Sequence, residues 1–199
     1  MTAGPEPEIR RAAGPDWPGL LVPAPACWPP AVEPRGDERV LHVALRNSAY
    51  DGAGLSRALR QLGPVQEVEW RRYLPERLRE VILVEAAAVR PTVVFLQLGR
   101  GGTAITPGFV RDELRPLLDD PAGVILDWDM DQFWEPREEG RRWFVELGRE
   151  CDASLVCNTR HPAEYRDLGV RCPGYLQVGV DHERYHYPAE PDATAPAIV

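Results

Sequence analysis

From position 40 onward the chain alternates short apolar runs with longer stretches whose apolar residues recur every three or four positions. Val40-Leu41-His42-Val43-Ala44-Leu45 is an apolar run of buried-strand type. It ends in the turn-forming cluster Asn47-Ser48-Ala49-Tyr50-Asp51-Gly52. Leu55, Ala58, Leu59 and Leu62 follow at helical spacing until Gly63-Pro64 stops the helix. Residues 65–70 alternate weakly and predict a second strand. Residues 78–89 predict a helix with Leu78, Ile82 and Leu83 or Ala86 on one face. Residues 92–96 read as the third strand, and the loop Gly99-Arg100-Gly101-Gly102 follows it. Thr106-Pro107 supplies a capping hydroxyl and a proline at the first helical position, for a helix to about Leu118. Residues 123–128 are the fourth strand and 138–151 a helix carrying Trp143, Phe144 and Leu147. The fifth strand, 153–157, leads into Asn158-Thr159, then a short helix over 163–168 and a sixth strand near 175–178.

Strands and helices alternating at this spacing imply right-handed crossovers and a parallel sheet. The expected fold class is therefore α/β: a single domain with a Rossmann-like parallel sheet and helices on both faces. Its strands are expected in the order 3-2-1-4-5-6. The domain should span residues 39–188. Residues 1–38 hold nine prolines and read as an extended arm, since proline removes donors and disfavours helix before it. Residues 189–199 read as a linker.

In such sheets ligands bind beyond the carboxyl ends of the strands. That rule selects Asn47, Tyr50, Asp51 and Gly52 after the first strand, Gly101 and Gly102 after the third, and Asn158 and Thr159 after the fifth. It also selects Asp127, Asp129 and Asp131 at the end of the fourth. Extended backbone would put those three carboxylates on one side, with Trp128 and Met130 on the other. Crowded like charges should raise at least one pKa unless arginines such as Arg46 or Arg100 neutralise them.

The segment VCNTRHPAEYRDLGVRCPGYLQVGVDHERYHYP, from Val156 to Pro188, resembles the end of the first domain of GT-B glycosyltransferases. There a strand, an Asn-Thr turn, a short helix and a strand lead into Gly-Val-Asp, an aromatic and a proline. Here these are Gly179-Val180-Asp181, Tyr185 and Pro188, the proline standing one residue later than in that pattern. Residues 40–188 fit the element order of that domain. Asp-Trp-Asp-Met-Asp followed by Phe133-Trp134 resembles the spore-maturation-protein-like glycosyltransferases. The resemblance implies the amino-terminal, acceptor-binding half of a GT-B fold. Its nucleotide sugar would be held by a carboxyl-terminal domain absent from this sequence, and its acceptor is unknown. It also implies that Asp129 is the catalytic or acceptor-orienting carboxylate, supported by Asp127 and Asp131, with no cofactor and no metal. The other reading is a non-catalytic Rossmann-like binding or interaction module.

Three short motifs compete. His182-Glu183-Arg184-Tyr185-His186 matches a zinc-hydrolase pattern, but Gly179 before it and Pro188 after it leave no helix to present both histidines. Asp127-Trp128-Asp129 matches a metal-binding D-x-D, with an arginine-paired strand end as the alternative. Gly52-Ala53-Gly54 is followed by Arg57 where a dinucleotide fingerprint needs glycine. Trp143 and Phe144 are expected to face the core and His161 to lie at the surface.

A net charge of -8 argues against nucleic acid as a partner, because phosphates need a basic face. No apolar run approaches the roughly 20 residues that span a bilayer. Cys27, Cys151, Cys157 and Cys172 form no C-x-x-C pair, and the last three sit where buried thiols are common. With no basic start and apolar run at the amino terminus, the expected location is cytoplasmic.

Overall fold

A computed structural model of the chain describes residues 37–44, 53–98, 104–119, 123–129, 139–157 and 161–176. Six strands form one all-parallel sheet: β1 Val40–Ala44, β2 Val65–Glu69, β3 Val93–Leu98, β4 Val124–Asp129, β5 Ala153–Val156 and β6 Pro173–Tyr175. The helices are α1 Ala53–Leu59, α2 Pro75–Val89, α3 Glu139–Glu150 and α4 His161–Asp167. A wide helical segment, Phe109–Leu114, lies between β3 and β4. The arm up to residue 36 and the linker 189–199 lie outside the described residues.

The strand order is β2-β1-β3-β4-β5-β6, which corrects the expected 3-2-1-4-5-6. The reason is in the composition of two strands. β2 is Val-Gln-Glu-Val-Glu with only Val68 buried, whereas β3 is Val-Val-Phe-Leu-Gln-Leu and buried from its second residue. The polar strand takes the edge and the apolar strand is covered on both sides. At the opposite edge, β6 opens with Pro173, a residue tolerated where no ladder donor is needed.

Handedness then distributes the helices. The chain steps from β1 to β2 in one direction, returns across β1 to β3, and continues that way to β6. Right-handed crossovers in opposite directions put their helices on opposite faces. Leu55 and Leu59 of α1 pack on the face carrying Val40, Phe95, Trp128 and Leu155. Leu78 and Ile82 of α2, Phe109 and Val110, and Phe144 and Leu147 of α3 pack on the face carrying Leu41, Val43, Leu96 and Ile125. Tyr165 of α4 joins Val145 and Val156 in a smaller cluster of its own.

Local chemistry fixes the ends. The Thr106 hydroxyl accepts from the Phe109 amide at 3.1 Å, the cap that Thr106-Pro107 predicted. That helix then widens to five-residue hydrogen bonding just before Pro116, which cannot donate to a regular turn. Gly63 has φ +153°, and an added Cβ would collide with the Glu38 carbonyl oxygen. Arginines fasten the amino ends of the strands: Arg39 and Arg90 both pair with Asp119, while Arg115 reaches Asp152 at 3.0 Å.

Candidate functional site

The sheet reverses its winding between β1 and β3, so the crevice where such folds bind ligands opens at their carboxyl ends. Asn47, Tyr50, Asp51, Gly52, Gly101, Gly102, Asp131, Asn158 and Thr159 lie outside the described residues, as does the segment His182 to His186. Asp127 and Asp129 are described. Asp129 closes β4 opposite Leu98 of β3 and Val156 of β5, at the carboxyl end and one strand from the switch point.

The two carboxylates share a face, as strand alternation requires, while Trp128 belongs to the other face and packs with Phe95. Both are buried, with 1% and 2% of their surface exposed. Asp127 Oδ2 accepts from Ser154 Oγ at 3.0 Å, and its Oδ1 is buried without a hydrogen-bond partner. Asp129 Oδ2 accepts from Tyr165 Oη at 2.8 Å. Tyr165 in turn stacks on His161, their ring centroids 6.3 Å apart.

Burial pushes the Asp127 carboxyl up to about 7; the Ser154 bond opposes this in part, and the charge of Asp129 adds to it. The rise expected from crowded carboxylates is therefore present, but desolvation is its main cause. Cys151, at the end of α3, is pushed well above its ordinary value by burial and by the neighbouring Asp127.

A second polar group lies on the opposite face, beneath α1. His42 of β1 is fully buried, with Nδ1 3.2 Å from Ser56 Oγ and Nε2 3.0 Å from Gln97 Oε1. Ser56 donates its hydroxyl proton to Glu67 Oε2 at 2.6 Å. The serine oxygen can then only accept from His42, which puts a proton on Nδ1. The Gln97 amide, whose oxygen and nitrogen exchange places by a simple turn, can then donate to Nε2 of the neutral ring.

Several expectations change. His161 is buried at the start of α4 rather than at the surface, because its ring stacks on Tyr165. Cys172 is disulfide-bonded rather than a thiol, whereas Cys151 and Cys157 are buried thiols. Phe144 faces the core, and Trp143 donates its indole N–H to the Ile105 carbonyl at 3.1 Å, so both serve packing. Sequence reasoning missed His42, Ser56, Gln97, Ser154 and Tyr165. The available signal was a polar side chain inside an otherwise apolar run, at His42, Gln97 and Ser154.

Among the described residues, no three His, Cys, Asp or Glu side chains are grouped to hold a metal ion. Nor is any helix among them long and apolar enough to cross a membrane. Comparison with family models, with curated proteins and with solved structures gave no match.

Proposed function

We propose that this chain is the acceptor-binding half of a glycosyltransferase, with Asp129 orienting the acceptor hydroxyl and a separate domain supplying the nucleotide sugar. The observation that supports the reading is a carboxylate at the carboxyl end of β4, one strand from the switch point of a doubly wound parallel sheet. Tyr165 donates to that carboxylate and fixes its orientation, which an orienting or basic group needs. The resemblance of residues 156–188 to the first domain of GT-B enzymes gives the reaction class. Location in the cytoplasm belongs to the same reading.

Calorimetry of the chain against a panel of oligosaccharide acceptors and nucleotide sugars tests it. Acceptor binding with little or no nucleotide-sugar binding is expected, because in this reading the separate domain holds the diphosphate leaving group. Micromolar binding of a nucleotide sugar with no saccharide binding would sink it. In the enzyme completed by its donor domain, Asp129→Asn should lower transfer by roughly a hundredfold with stability little changed.

A second reading, a binding module without chemistry, has its own observation. Asp127 and Asp129 are both almost wholly buried and held by internal hydroxyls, as structural carboxyls are. Full transfer activity in Asp129→Asn would favour it.

A further inference from the structure

Asp127 lies in the middle of β4 directly opposite Ser154 of β5, and the two side chains are joined at 3.0 Å. Above this pair passes α3. A Cβ added to Gly148 would stand 2.9 Å from Ser154 Oγ and 3.2 Å from Ser154 Cβ. The helix backbone therefore rests on the hydroxyl that serves Asp127, and a glycine makes that approach possible. Beneath it, Oδ1 of Asp127 is buried without a hydrogen-bond partner. A carboxylate with one bare oxygen in a dry interior is disfavoured, and a neutral carboxyl is tolerated far better.

The surrounding groups act on this preference in both directions, and burial outweighs them. Asp129, two residues along the same face, is an acid held by Tyr165 of α4. From the end of α3 comes Cys151, a buried thiol whose hydrogen bond to the Asp127 carboxyl opposes the preference in part, as the Ser154 bond does. β3 contributes Leu96 as the neighbour of Asp127 in register. Of the charges at this end of α3, Arg149 donates to the Leu168 carbonyl, Glu150 pairs with Arg111, and Asp152 pairs with Arg115 and Arg171. Among the described residues, no cation is a leading influence on Asp127.

We infer that the carboxyl end of α3 is seated on the sheet through a proton on Asp127, so that the Gly148–Ser154–Asp127 seam is a pH-operated joint between α3 and strands β4 and β5. It stands on packing geometry and does not depend on the glycosyl-transfer reading. Burial and the Asp129 charge bring its working range near neutrality, the Asp127 carboxyl being pushed up to about 7. When the helix lifts, Asp127 meets water and regains an ordinary carboxyl value. Lifting therefore becomes easier as pH rises toward 7 and no easier beyond it.

Hydrogen exchange of the α3 amides, corrected for intrinsic rates, tests the joint. Protection of Val145 to Glu150 should fall by about tenfold per pH unit between about pH 5 and pH 7, then level off. At every pH these amides should exchange faster than those of Leu78, Ile82 and Ala86 in α2. In Asp127→Asn the pH dependence should vanish. Protection independent of pH in the unaltered chain, a fall retained in Asp127→Asn, or α3 exchange no faster than α2 exchange would each overturn the proposal. Should the variant not fold, infrared titration of the unaltered chain decides. A buried carboxyl C=O band lost with a midpoint near neutrality is expected, and its absence overturns the joint.

Discussion

Under α1, His42 is fully buried and each of its ring nitrogens meets a polar partner, with the chain of contacts running through Ser56 to Glu67. Across the same sheet, Asp127 is equally buried and satisfies only one of its two oxygens. The difference comes from what covers each face. A seven-residue α1 places Ser56 over His42, and Glu67 reaches in from the edge strand, where burial is partial. Over Asp127, α3 approaches Ser154 closely at Gly148, and the carboxyl is left with the Ser154 hydroxyl and the Cys151 thiol as side-chain partners while its Oδ1 stays unsatisfied. A closed chain of hydrogen bonds makes a buried polar group inexpensive, while one missing partner transfers the burden to protonation. Sensitivity to pH should therefore belong to the α3 face.

Asp127 should dominate the pH dependence of stability. Its carboxyl ionises at an ordinary 3.8 in the unfolded chain and at about 7 in the folded one. The folded state holds the extra proton between those values, so its contribution to stability is complete below about pH 4 and is lost progressively up to about pH 7. The gap corresponds to about 4 kcal/mol at most. Urea midpoints measured from pH 4 to pH 8 should fall along that course, and Asp127→Asn should remove this component and unfold later than the parent at pH 8. Parallel curves for the two proteins would refute the assignment.

The closed network on the α1 face should resist pH but not mutation. His42→Leu keeps apolar bulk yet leaves Gln97 and Ser56 without the ring they meet. Each loses one buried partner, and a buried polar group losing a partner costs up to about 1–3 kcal/mol, so a loss of about 3 kcal/mol is expected. Equilibrium denaturation showing under 1 kcal/mol would mean the network contributes little. Tyr165→Phe probes the other face with a smaller change. It removes one donor to Asp129 and should cost about 2 kcal/mol. Thermal unfolding of the variant at pH 7 measures it, and an unchanged midpoint would mean that Asp129 needs no donor from α4.

Much of the architecture was legible because burial forces periodicity: the six strands and the helices between them follow the hydrophobic pattern to within a few residues. Strand order was less accessible, since periodicity says which face of a strand is apolar but not which strand lies beside it. Even so, the polar Gln66, Glu67 and Glu69 of β2 mark an edge strand beside the apolar β3. Alternation correctly put Asp127 and Asp129 on one face and Trp128 on the other. What supports them could not be read, because Ser154, Tyr165 and Cys151 reach β4 through the tertiary fold. His42, Ser56 and Gln97 were hidden for the same reason, being 14 and 55 residues apart along the chain.

The smallest expected effect is the most specific to the contrast between the faces. Gly148→Ala gains roughly 1 kcal/mol of helix propensity, because alanine restricts the unfolded backbone. Against that, its methyl would stand 2.9 Å from Ser154 Oγ, a buried atom with no exposed space to move into. Overpacking of that kind costs about 1–3 kcal/mol, which leaves a net loss of about 1 kcal/mol. The origin of the loss distinguishes it from ordinary helix damage. Displacing Ser154 weakens the bond that opposes the upward push on Asp127, so the carboxyl should rise further above about 7. The pH range over which urea midpoints fall should extend upward in Gly148→Ala, while His42→Leu leaves that range where it is. A Gly148→Ala protein that is more stable than its parent, with the pH range unmoved, would show that α3 does not bear on Ser154.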